Sequence, residues 1–174
     1  MHCNIRQTIL FTALSVLGAV SLTPKAFADS QVVPFTATVN SVCTLSNVVP
    51  GNLGADMATN TLDSTITTSP ATNTPGFSGS ITITCNSGSG SYNIGSTTNT
   101  TAFAGAPAVV GLAVNAASSF GTSTATGTTN TGAGNVVNVS GTTPTVINID
   151  LAATYGSALA AGDYSFDVVI QSNP

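Results

Sequence analysis

The sequence predicts an all-β domain, a β-sandwich tied by one disulfide. Three observations carry this. Beyond residue 28 the chain is dominated by Thr, Ser, Gly, Asn and Val, which favour strands and turns, and no stretch of it has helical periodicity. Four runs alternate apolar and polar side chains with period two, at 33–39, 81–85, 145–151 and 164–170. Two cysteines, Cys43 and Cys85, share the parity of the apolar residues in the runs beside them.

The first 28 residues read as an export leader. An apolar run at 9–22 follows a short polar start with Arg6, and the segment closes on Ala26-Phe27-Ala28. The run is shorter than the roughly 20 apolar residues of a spanning helix, and the A-x-A ending predicts cleavage between Ala28 and Asp29. The remaining 29–174, 146 of the 174 residues, suits a single domain with one core.

Removing the leader changes the charge inventory. His2, Arg6 and Lys25 all leave with it. Six aspartates remain (Asp29, Asp56, Asp63, Asp150, Asp163 and Asp167), so the side-chain charge is −6, against −4 for the whole chain. Without cations the chain has nothing to neutralise phosphates, so nucleic acids and acidic membrane surfaces are excluded as partners.

The missing residues also exclude most chemistry. Ser-His-Asp and Cys-His catalysis need an imidazole, and Ser-Lys variants need a lysine. Only carboxylates could serve as acid and base, and none stands in an Asp-Thr-Gly or Asp-Ser-Gly setting. The expectation is a protein that is not an enzyme and holds no cofactor. Asp56, Asn60 and Asp63 lie close together but lack the spacing of a calcium loop, and the expectation is no metal.

The elements follow in chain order. Val33, Phe35, Ala37 and Val39 share one face against Thr36 and Thr38. Cys43 keeps their parity. In an exported chain with two cysteines and no histidine, the expected state of Cys43 and Cys85 is a disulfide. A weak strand candidate lies at 64–67. Ile81, Ile83 and Cys85 then alternate against Thr82 and Thr84, so both sulfurs are expected to point inward. Further weak strands are placed at 91–95, 109–115 and 135–140. Two low-complexity stretches, 96–101 and 118–134, have little to bury and are expected as loops. The run at 145–151 is a strand. In the last run Tyr164, Phe166, Val168 and Ile170 alternate against Ser165, Asp167 and Val169. About eight short strands in one domain give the β-sandwich. Tyr155 and Tyr164, near strand ends, suit core packing or a sugar platform.

Three stretches resemble a known family. "VPFTATVNSVCTLSN" (33–47) resembles the start of mature chaperone–usher pilus (fimbrial) subunits, "GFSGSITITC" (76–85) their second disulfide strand, and "INIDLAATYGSALAAGDYSFDVVIQ" (147–171) their C-terminal strand pair. The ending "LAAGDYSFDVVI" is as similar to the secreted spore coat protein U-like proteins. The resemblance covers both ends of 29–174 and leaves 96–144 unmatched. It implies an immunoglobulin-like sandwich lacking its last strand, completed by donor-strand complementation: a periplasmic chaperone lends a strand, and at an outer-membrane usher the N-terminal arm of the next subunit replaces it. On this reading Val33, Phe35, Ala37 and Val39 are the donor residues, and Tyr164, Phe166, Val168 and Ile170 edge the acceptor groove. The product is a secreted fibre or coat at the cell surface. Two features depart from the pattern. Only 14 residues separate the cleavage site from Cys43, so 33–39 also suits a first strand, and the chain ends on Gln171-Ser172-Asn173-Pro174 without an aromatic. The alternative is a free-standing extracellular sandwich that binds carbohydrate or matrix and does not polymerise.

Overall fold

A computed structural model describes residues 34–68 and 75–174. Among these residues there are eleven antiparallel strands and no helix. They are β1 (Cys43–Val49), β2 (Gly54–Asp56), β3 (Thr61–Asp63), β4 (Gly79–Cys85), β5 (Ser89–Asn99), β6 (Val109–Ser118), β7 (Gly121–Gly127), β8 (Asn130–Thr131), β9 (Val137–Ser140), β10 (Thr145–Tyr155) and β11 (Phe166–Asn173).

The strands form one hydrogen-bonded path, β1-β4-β10-β6-β7-β8-β5-β11, with β3 on β10, β2 on β3 and β9 on β5. The path folds over on itself in a sandwich-like way. The Tyr92 hydroxyl on β5 donates to the Gly121 carbonyl at 2.8 Å and lies 3.0 Å from Ser118 Oγ at the end of β6. Gly90, also on β5, lies under the Cys43–Cys85 bridge, where a Cβ would run into both sulfurs. The two ends of the path meet at one point, where Ser172 Oγ of β11 donates to the Cys43 carbonyl of β1 at 3.3 Å.

The core sits between these inner faces. Ile83, Ile94, Ala116, Ile147 and Ala153 are fully buried, with Tyr92 and Val114 beside them. Period-two alternation brings them inward. Where the period slips, a bulge restores it. Tyr155 pairs with Val109 while Thr154 pairs with Gly111, so Val110 is the extra residue and both Val109 and Leu112 face the core.

The disulfide is the expected inter-strand bridge. Cys43 pairs with Cys85 and Leu45 with Ile83, so both cysteines fall on the inner face, with Cα atoms 4.0 Å apart. Three expectations are corrected. The stretch 118–134 is not a loop: it carries β7 and β8, with Ser123 and Ala125 buried and Thr122, Thr124 and Thr126 facing out. Threonine has high β propensity, and small inward residues let β7 lie close over the core. Residues 96–99 likewise continue β5, where Thr97 is fully buried opposite Thr131. At 64–67 there is no strand; Ser64 instead turns inward and its hydroxyl accepts from the Leu151 amide at 3.1 Å.

Candidate functional site

β1 and β11 stand at the two ends of the strand path. Among the described residues β1 pairs only with β4, and β11 only with β5. They touch where Ser172 meets Cys43 and diverge from there. Between them opens a groove of about 410 Å³. Ile81 of β4 and Ile149 and Leu151 of β10 line it, and Phe166, Val168 and Ile170 of β11 form one wall. Val48, Val49 and Pro50 form the opposite lip.

The groove is lined mainly by apolar side chains, with Asn52, Ser64, Ser80 and Asp167 as its polar members. Asp167 is its only charged lining residue. Along β11 the residues 166, 168, 170 and 172 are partly buried and 167, 169, 171 and 173 exposed. The inward set packs against the core without disappearing into it. Ile94, in register with Ile170 on the neighbouring strand, is fully buried. The difference lies on the far side: Ile94 is covered there by Gly134, whose amide donates to its carbonyl, and by Ser123, whose hydroxyl accepts from its amide, whereas among the described residues Ile170 has β5 alone.

A second cavity of about 560 Å³ adjoins the groove, sharing Asn52 and Leu53 with it. Tyr164 lines this cavity. It lies just before β11, not within it, so the expected groove-edge strand begins at Phe166. Its hydroxyl donates to the Ala160 carbonyl at 2.8 Å and accepts from the Ala160 amide at 3.0 Å. Its ring packs edge-on against Phe103 and Tyr155, with centroids 5.0 and 5.3 Å away. Tyr155 is buried, and its phenol pKa is driven up by burial first and by Tyr164 second. The rings are thus packed against each other and present no paired platform to solvent.

Three of the carboxylates are engaged locally. Asp56 accepts from Thr59 Oγ1 at 2.8 Å and from the Ala58 amide at 2.9 Å, and the Thr59 bond is the chief cause of its lowered pKa. Asp63 accepts from the amide and hydroxyl of Thr65. Asp150 accepts from Ser64 and Ser78. Among the described residues no three His, Cys, Asp or Glu side chains come together as a metal site.

The donor candidates divide. Val33 lies outside the described residues, as do Ala28 and Asp29. Phe35, Ala37 and Val39 belong to no strand and are exposed, Phe35 at 93 % and Val39 at 83 %. Residues 40–42 are held. The Asn86 side chain accepts from the Val42 amide at 2.7 Å and donates to the Asn40 carbonyl at 3.0 Å, and the hydroxyls of Ser41 and Ser87 meet. The sequence had signalled Phe166, Val168 and Ile170 but neither the groove floor nor the role of Asn86. The parity of Ile81 with Ile83 marked an apolar face, and nothing in it marked that face as open. Among known proteins the chain matches no family model, no curated protein and no solved structure.

Proposed function

We propose that this chain is an exported structural subunit of a surface fibre or coat, assembled by donor-strand complementation of an incomplete immunoglobulin-like sandwich. The observation that carries the reading is the apolar groove between the unpaired edges of β1 and β11. An extended segment laid there finds backbone partners on the free edges and pockets for every second side chain. The segment 33–39 has this form, with Val33, Phe35, Ala37 and Val39 on one face. Its six-residue rise is about 20 Å, the same as from Phe166 to Ser172. Burying an aromatic and two valines contributes roughly 1.5–3 kcal/mol each before ordering costs. An uncovered groove of this kind is an aggregation hazard, which gives a periplasmic chaperone and an usher their purpose.

The alternative, a free-standing module that binds carbohydrate, has less support. Tyr155 is buried and Tyr164 is spent on packing.

The test is a shear preparation from producing cells, run on a denaturing gel with and without boiling. The expected result is a ladder of multiples that collapses on boiling and is lost with Phe35→Asp. A single monomer band in both lanes overturns the reading.

A further inference from the structure

The cavity that adjoins the groove has a chemistry of its own. Its volume of about 560 Å³ falls in the range of small-molecule sites. Leu53 and Leu62, from the β2–β3 segment, and Leu159 and Tyr164, from the connection between β10 and β11, give it an apolar body. Asp163 is its only charged lining residue. The geometry points to a binding site for a small organic cation, with an ammonium group at Asp163 and an apolar stem against the leucines and Tyr164.

The hydrogen-bonding inventory selects the charge. The Tyr164 hydroxyl is fully occupied by the amide and carbonyl of Ala160. Asn52 spends one Nδ2 proton on the Pro75 carbonyl at 2.8 Å, which leaves one proton and the Oδ1 acceptor. Asp163 brings acceptor oxygens alone, and among the described residues no hydrogen bond engages them. The lining side chains therefore offer several acceptors against a single spare donor proton. A sugar hydroxyl needs both in similar measure, whereas an ammonium brings three donors and no acceptor. The wider field agrees. Residues 29–174 carry six carboxylates and no cationic side chain, so no side chain there can neutralise Asp163. Asp56, between the lining residues Ala55 and Met57, is held ionised by its bonds to Thr59 and Ala58.

Both walls are built. The two bonds from Tyr164 to Ala160 close the 160–164 turn, and Gly162 lies so near the Phe103 ring that a Cβ there would collide with it. Across the cavity, the amide and carbonyl of Asn52 bond the carbonyl and amide of Phe77, both at 2.9 Å. A preformed site loses little to ordering when it binds.

The test titrates the whole exported chain carrying Phe35→Asp, a substitution outside the cavity, with n-hexylamine at low salt and neutral pH, followed by amide chemical shifts. The expected result is saturable shifts at Leu53, Met57 and 160–164, with Kd on the order of 1 mM for a ligand of this size. n-Hexanol has a like stem without the charge and should bind at least about threefold more weakly. Asp163→Asn should weaken hexylamine about two- to fivefold, the range of an exposed ion pair, and leave hexanol unchanged. Asp167→Asn removes an equal charge from the groove and should change neither. Nα-acetyl-lysine methylamide separates the sources of the cation: tighter binding than hexylamine assigns the site to a partner's lysine side chain, weaker binding to a free amine, and either supports the cation. Equal affinities for hexylamine and hexanol overturn the inference. So do equal effects of Asp163→Asn and Asp167→Asn, shifts confined to the groove, or no shifts. None of these outcomes bears on strand donation, which the polymer ladder tests separately.

Discussion

β10 and β11 carry the same alternation and meet different fates. β10 lies between β4 and β3 on one side and β6 on the other, and its inward Ile147 and Ala153 are fully buried. β11 has β5 alone, and its inward Phe166, Val168 and Ile170 stay half-exposed at the groove. A period-two pattern states which face of a strand is apolar. It does not state whether a neighbour is present to cover that face. The difference between the two strands is therefore that between an apolar face covered on both sides and one left facing the groove.

The largest expected effect comes from cutting the staple at the point where the groove closes. Cys85→Ser opens a loop with a sequence separation of 42 between the paired cysteines. The chain-entropy account puts the loss at about 4 kcal/mol. A urea titration of the monomeric Phe35→Asp background, with and without Cys85→Ser, should show the midpoint fall accordingly.

A sharper test pairs Ile94→Ala with Ile170→Ala. The two isoleucines are in register on adjacent strands, one fully buried and one at the groove. Ile94→Ala should cost about 2–5 kcal/mol in any state of assembly. Ile170→Ala should cost roughly 1 kcal/mol in the monomer, because part of its surface never leaves water. In the polymer its cost should climb toward that of Ile94. Equal costs in the monomer would remove the distinction between the two strands.

The smallest effect is on pH. Between the aspartates and the tyrosines, residues 29–174 have no side chain that titrates, because the disulfide occupies both cysteines. Burial raises the phenol pKa values of Tyr92 and Tyr155 in the closed part of the fold. Their stabilisation is complete below the unfolded value near 10.0 and declines above it, as the unfolded chain gives up protons that the folded chain keeps. Asp56 works in the opposite direction. Its lowered pKa supplies stability above 3.8 that is lost as pH falls below it. The melting temperature of the Phe35→Asp monomer should thus be flat from about pH 5 to pH 9 and fall beyond about pH 10. A slope inside the flat range contradicts this assignment.

Much of the fold was legible. Large aliphatics at every second position marked β4, β10 and β11, the count of two cysteines beyond residue 28 paired Cys43 with Cys85, and their parity turned both inward. β7 was not legible, because its inward residues are Ser123 and Ala125 and its outward ones threonines, which leave almost no hydropathy contrast. β5 was read short for the same reason at Thr97. The alternation at 164–170 marked one wall of the groove, and only the family resemblance, no residue pattern, implied an opening beside it. That depends on β1 and β11 being the two ends of one strand path, which no local pattern encodes. Asn86 could not be read at all, since its part is to bond backbone atoms more than forty residues away.

Strand donation requires that this groove receive the face formed by Val33, Phe35, Ala37 and Val39. The most direct measurement is thermal unfolding of the Phe35→Asp chain with a synthetic peptide of residues 29–42. The account predicts saturable stabilisation at one peptide per chain, about 2.7 kcal/mol at a hundredfold excess over Kd and on the order of 10 °C, absent when the peptide itself carries Phe35→Asp. An unmoved melting temperature, or the same shift with both peptides, would contradict it.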